Sequence, residues 1–153
     1  MSLDLNFRSI SPEDYSTCSE ILVAAYSGAP WFNQWTKQEA LLRIQATMSG
    51  TNARGYIVEN DKQIIAMCLG RIDYYYDNWK QFCIDEFNVA PHVQKQGVGK
   101  KLMEFVADIL EEEGISNLFL ITGGKQAVEF YKKSGFVKSD DGTMMECVIK
   151  NGS

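Results

Sequence analysis

Between Val93 and Leu102 the chain reads VQKQGVGKKL. Two glycines, Gly97 and Gly99, stand one residue apart among glutamines and lysines, where a strand-like run gives way to a helix-like one. The chemistry such a stretch can do is anion binding. The first turn of a helix has backbone N–H groups without intrahelical partners. They carry the positive end of the helix dipole, which favours a nearby anion by about 0.3–1 kcal/mol at exposed sites. Three phosphate-binding patterns compete. GxGxxG needs a third glycine where Leu102 stands, and GxxxxGK[ST] needs glycine at Gln94 and a hydroxyl at Lys101, so both fail. The pattern [QR]xxGx[GA] is complete in Gln94, Lys95, Gln96, Gly97, Val98 and Gly99. Bare glycines let a diphosphate approach, and Lys95, Lys100 and Lys101 add counter-charge. Taken alone, the same residues could also serve as a tight strand-to-helix turn among surface lysines.

The elements around this loop must hold it. At 153 residues the chain fits one compact domain over 1–153. A hydrophobic fraction of 45% and an aromatic fraction of 12% are those of a folded protein. The net charge of −5 argues against nonspecific nucleic-acid binding, so the lysines of the loop are a local reversal of sign. The four cysteines are widely spaced, with no CxxC, and are expected as buried reduced thiols in a cytoplasmic protein. His92 is the one histidine, so no metal site is expected. The sequence has no signal-peptide pattern and no apolar run long enough to span a membrane.

A strand is expected over 3–10, followed by a helix opened by SPED, with Ser11 as cap, Pro12 at the first helical position and Asp14 at the capping-box site. TKQE, from Thr36 to Glu39, is a second capping box, and its helix stops at Gly50. Strands follow near 54–59 and 63–75, joined by ENDK, and at 81–89. A helix over 97–113 carries Val98, Leu102, Phe105, Val106, Ile109 and Leu110 at helical spacing. A strand at 118–121, a helix over 125–134 and strands near 136–138 and 143–149 complete the chain. This order predicts an α/β protein of mixed layers, with a twisted, partly parallel sheet of six to seven strands and helices on both faces.

The segment IDEFNVAPHVQKQGVGKKLM resembles the acetyl-CoA-binding motif of the GNAT superfamily of N-acetyltransferases, with Val89, Pro91 and Gln94 at the family's spacing. AVEFYKKSGF, Ala127 to Phe136, resembles the family's A-x-x-x-Y-x-x-x-G-F segment. The order of elements is similar to that fold along nearly the whole chain. One position departs: Gly124 stands where the family often has Asn, which puts one cofactor contact in doubt.

The resemblance implies transfer of an acetyl group from acetyl-CoA, with no metal, to a primary amine. The amine must lose a proton, since an alkylammonium has a pKa of about 10. The carbonyl must be polarised and the departing thiolate protonated. The resemblance places the cofactor on the backbone of Phe87, Asn88 and Val89 and on the loop Gln94, Lys95, Gln96, Gly97, Val98, Gly99 and Lys100. Tyr131 matches the family's acid, and it also touches the cofactor; a packed helix aromatic is the plainer role. For the base, Asp85 and Glu86 stand side by side. Strand alternation puts Asp85 with Phe87 and Val89, and Glu86 with Ile84 and Asn88. The family pattern carries the working carboxylate to Asp85; a bulge would invert the choice, and an ordered water chain remains open.

Substrate contacts are implied for GAPWFNQW and RIDYYYDNW, hence Trp31, Phe32, Trp35, Tyr74 and Tyr76, as an aromatic wall near Asp73 and Asp77 that suits a cation. Ordinary core and surface packing is the alternative for these rings. The expected acceptor is a small cationic amine of polyamine, amino-sugar or aminoglycoside type. No nucleic-acid or membrane partner is expected, and the protein would be a monomer or homodimer. The competing functions are acetylation of a protein amine, a non-catalytic acyl-CoA-binding module, and a protein-interaction domain that uses the exposed aromatics.

Overall fold

The computed structural model describes residues 3–150, and the chain divides between Ile121 and Thr122 into two compact units. The first unit holds strands β1 (Leu5–Ser9), β2 (Ala53–Asn60), β3 (Gln63–Tyr74), β4 (Lys80–Val89) and β5 (Asn117–Phe119), with helices α1 (Tyr15–Ser27), α2 (Lys37–Thr47) and α3 (Val98–Glu112). The strands lie in sequence order in one sheet, antiparallel from β1 to β4, with β5 parallel to β4. The mixed α/β architecture is as expected.

Local chemistry explains the element starts. At Thr36 the capping box closes in both directions: the Glu39 amide donates to Thr36 Oγ1 at 3.0 Å, and the Thr36 amide donates to Glu39 Oε1 at 2.8 Å. At Ser11, whose amide donates to Asp14 Oδ2 at 2.8 Å, Pro12–Asp14 form a 3-10 turn that leads into α1. The β2–β3 turn uses Asp61 and Lys62, both at positive φ (51° and 66°), the form that matches the twist of a hairpin.

The sheet is covered on both faces. On one, Ile57, Met67 and Leu69 pack against Cys18 and Leu22 of α1 and Ala40 and Ile44 of α2. On the other, Phe105 of α3 stacks on Phe7 at 5.2 Å and meets Tyr56 edge-on at 6.0 Å. Cys18, Cys68 and Cys83 are buried free thiols, whereas Cys147 is exposed. Burial pushes the Cys18 thiol up to about 12.

The second unit contains α4 (Lys125–Lys133), and among the described residues after it there is no strand. The expected strands near 136–138 and 143–149 are therefore not formed, and the sheet has five strands rather than six to seven. Met144, Met145, Val148 and Ile149 are exposed. An apolar run supplies the composition of a strand, but a strand exists only where another one pairs with it.

Candidate active site

The two carboxylates sit at a break in strand register. Leu69 of β3 faces Glu86 of β4, and the next residue, Gly70, faces Ile84, so Asp85 is the extra residue of a β-bulge. A Cβ on Gly70 would run into the Cys83 carbonyl oxygen and the Phe82 ring, so only glycine lets the strands close here. The bulge overturns the simple alternation expected for this strand. Phe87 and Val89, opposite Cys68 and Ala66, stay on the α3 face. Glu86 and Asn88 turn to the α1–α2 face, and Ile84 does not go with them. Asp85 also reaches that face: its Oδ1 accepts from Arg71 Nη1 at 2.7 Å, and Arg71 lies two residues along β3 from Leu69. The bulge thus brings both carboxylates to one side.

Glu86 is buried, with only 5% of its surface exposed. Its Oε1 accepts from the Tyr26 hydroxyl at 2.8 Å and its Oε2 from Arg43 Nε at 3.0 Å. The same guanidinium donates through Nη2 to the Asp85 carbonyl at 3.2 Å, so α2 clamps both the bulge and its carboxylate. Burial, then the negative Glu86, pushes the Tyr26 phenol up to about 12, so it remains a donor. Trp31 and Trp35 pack on the Tyr26 ring at 5.9 and 6.0 Å, and a cavity of about 330 Å³ is lined by Phe32, Asn33, Gln34, Trp35 and Glu39.

Beyond the bulge, β4 outruns its outer neighbour. β5 pairs only with Gln81–Cys83, while β4 continues to Val89. The Ala90 amide donates to the Ile65 carbonyl at 2.8 Å, a 3-10 turn spans Pro91–Val93, and Gln94 Nε2 donates back to the Val89 carbonyl at 2.9 Å. Gln94 thus braces the loop. Lys95 and Gly97 both take positive φ, 65° and 83°, and Gly97 is the N-cap of α3 with no side-chain cap bond. The first helical bond runs from the Lys101 amide to the Gly97 carbonyl at 3.1 Å. The amides of Val98, Gly99 and Lys100 precede it and belong to the turn that leaves its N–H groups unused by the helix. A Cβ on Gly97 would meet nothing within 4 Å, so the space in front of this turn is open. Buried Val98, Leu102, Val106 and Leu110 fix the helix that aims it.

This loop and strand end lie within the part of the chain that matches a known family. The profile of the Acetyltransferase (GNAT) family matches residues 16–136. The chain belongs to the GNAT acetyltransferase family. Solved GNAT-like structures superpose on it over nearly its full length. A possible acetyltransferase from Clostridium difficile 630 gives a TM-score of 0.82 at 13% identity, covering 97% of this chain and 100% of that one. An aminoglycoside acetyltransferase from an uncultured soil metagenomic sample, in complex with sisomicin, gives 0.74 at 16%, covering 95% and 97%. Glucosamine-6-phosphate N-acetyltransferase from Arabidopsis thaliana gives 0.65 at 19%, covering 96% and 99%. At these identities the likeness is one of fold.

In this GNAT chain the expected aromatic wall is two separate groups. Trp31 and Trp35 reach the Glu86 cluster through Tyr26, and Phe32 is exposed beside them. Tyr74 and Tyr76 lie at the far end of the β3–β4 hairpin, exposed. Tyr74 is five rows along β3 from Leu69, about 17 Å at the usual rise of a strand. Tyr131 is on α4 in the second unit, with its ring against Phe130 at 5.2 Å and Phe136 at 5.4 Å, and Gly124 caps that helix without a side chain.

Tyr26 and Arg43 were missed by sequence reading, although a signal existed. Tyr26 continues the Cys18–Leu22 stripe by one turn, and Arg43 stands three residues after Ala40, beside Ile44. A long polar side chain on a core-facing helical stripe requires a partner in the sheet.

Proposed function

We propose that this GNAT protein transfers the acetyl group of acetyl-CoA to a primary amine of a small cationic acceptor, in a ternary complex. The observation that carries the reading is the end of β4, which runs past β5 and leads into the uncapped, open first turn of α3. That geometry fits a pantetheine arm alongside Phe87, Asn88 and Val89. It fits a diphosphate at the amides of the Gln94–Lys100 loop, with Lys95 and Lys100 as counter-charge. Such a cosubstrate supplies an activated thioester. The amine nitrogen attacks its carbonyl carbon, the C–S bond breaks, and the sulfur takes a proton from the Tyr131 phenol while the nitrogen releases one. The Val89 amide is the proposed donor to the carbonyl oxygen.

Of the two carboxylates, Glu86 is the better placed, since the bulge turns it to the buried α1–α2 side. Both of its oxygens already accept from fixed donors, and Asp85 is held by Arg71. These bonds support a role in attracting the ammonium, with the released proton leaving through ordered water. The acetyltransferases of aminoglycoside and glucosamine-6-phosphate type that share the fold support a small amine as acceptor. We read residues 1–153 as one such domain acting in the cytoplasm.

The test is a panel of polyamines, amino sugars, aminoglycosides and lysine peptides with acetyl-CoA, read by thiol release, beside calorimetry with CoA. Turnover of small cationic amines is expected. Absence of both CoA binding and thiol release would overturn the reading, and turnover of peptides alone would move it to a protein amine.

A further inference from the structure

Next to Glu86 on the α1–α2 face is a polar group that the chain leaves unmet. Asn88 is 5% exposed, and its carboxamide oxygen, itself buried, has no hydrogen-bond partner. The neighbours show why none can turn to it. The one hydrogen of the Tyr26 hydroxyl is committed to Glu86 Oε1, and the Arg43 Nε–H to Glu86 Oε2. An unpaired buried acceptor is unfavourable in a folded chain, so whatever meets it brings its own N–H or O–H.

We propose that the Asn88 carboxamide oxygen accepts a hydrogen bond from the acceptor nitrogen, and so orients it for attack. The proposal rests on the acetyl-transfer reading above. An ammonium has three donors and a neutral primary amine two, so the bond survives loss of the proton that frees the lone pair. On this face three carboxylates, Asp73, Asp85 and Glu86, are joined to two guanidiniums, Arg43 and Arg71. The surplus negative charge favours a cationic nitrogen over a neutral hydroxyl. A quaternary ammonium, which has no N–H to donate, would bind only weakly as an inhibitor.

The experiment compares wild type, Asn88→Leu and Asn88→Asp. It measures amine KM and kcat by thiol release at saturating acetyl-CoA, CoA affinity by calorimetry, and Tm. Asn88→Leu keeps the shape and removes the acceptor. It is expected to raise the amine KM about 10–100-fold while leaving CoA affinity and Tm near wild type. Asn88→Asp keeps acceptor oxygens and is expected to hold KM near wild type. A wild-type KM in Asn88→Leu, in a background that turns amines over, overturns the proposal alone. So does an Asn88→Asp protein as impaired as Asn88→Leu, or a fall in Tm and CoA affinity that matches the kinetic loss. Wild type that binds no CoA and releases no thiol with any amine overturns the acetyl-transfer reading, and this proposal with it.

Discussion

Replacing Arg43 with Met tests whether the α2 clamp holds the bulge. The guanidinium makes two bonds, to Glu86 Oε2 at 3.0 Å and to the Asp85 carbonyl at 3.2 Å. Its own side chain is 41% exposed and that of Glu86 5%. At 3.0 Å the bare attraction between unit charges is about 5 kcal/mol at an effective dielectric near 20. Solvent at the exposed end of Arg43 and the lost freedom of its side chain reduce this to about 2 kcal/mol, the range of a charge-assisted hydrogen bond. Glu86→Gln alone keeps an acceptor for Tyr26 and should cost about 1 kcal/mol. With both changed, no buried charge is left without its partner, so the double variant should be more stable than the two single losses predict, by about 1–2 kcal/mol. The assay is urea unfolding of all four proteins at pH 7, with the m-value required to stay constant. In a chain of 153 residues, 2 kcal/mol for Arg43→Met corresponds to a fall in Tm of about 4–8 °C. Additivity within about 0.3 kcal/mol would refute the clamp, because it would mean that the two side chains do not act on each other.

How far the site could be seen beforehand depended on how local its cause is. Thr36 and Glu39 are three residues apart and bond to each other, so four letters of sequence carry the whole interaction. The same holds for the Gln94–Gly99 loop, where a positive φ at Gly97 and the stripe of α3 are set within one turn. The bulge is different. Its extra residue is Asp85, but its cause is partly Gly70, on another strand, and nothing in IDEFNV marks where the alternation breaks. The choice between the two carboxylates could therefore be posed from the sequence but not made. Tyr26 and Arg43 were visible only as polar residues on apolar stripes, and their partner lies 60 and 43 residues away. The C-terminal run shows the opposite error: TMMECVI has strand composition, but composition names no partner, and no strand forms there.

Four further outcomes are expected. Tyr131→Phe keeps the ring against Phe130 and Phe136 and removes the phenolic donor, so kcat should fall about 10²–10⁴-fold with CoA affinity unchanged; equal kcat would exclude it as the acid. At Gly97→Val the Cβ meets nothing within 4 Å and the positive φ adds strain, so the protein should fold yet lose CoA affinity about tenfold, measured by calorimetry. The Arg8 guanidinium, and then the Ser11 amide, hold the Asp14 carboxyl below the usual carboxylate range. That stabilisation is complete above the unfolded pKa of about 3.9 and is lost as pH falls through the lower folded value. Asp14→Asn should thus be less stable than wild type by about 1–3 kcal/mol at pH 7, with the gap closing in acid; a gap that widens in acid would contradict the assignment. The last concerns Gly70, which allows the bulge. A methyl group there meets the Cys83 carbonyl oxygen and Phe82 ring atoms, the nearer at 2.7 Å. The carbonyl belongs to the backbone of β4 and cannot swing aside, so β3 and β4 must separate at the row that turns Glu86 inward. Overpacking of this kind costs about 1–3 kcal/mol, and a backbone clash belongs at the upper end. Gly70→Ala should therefore lose about 3 kcal/mol in urea and most of kcat/KM, whereas Gly28→Ala, with nothing within 4 Å, should change neither. If the two variants behave alike, the close approach at Gly70 does not hold the register, and Glu86 is turned inward by Tyr26 and Arg43 alone.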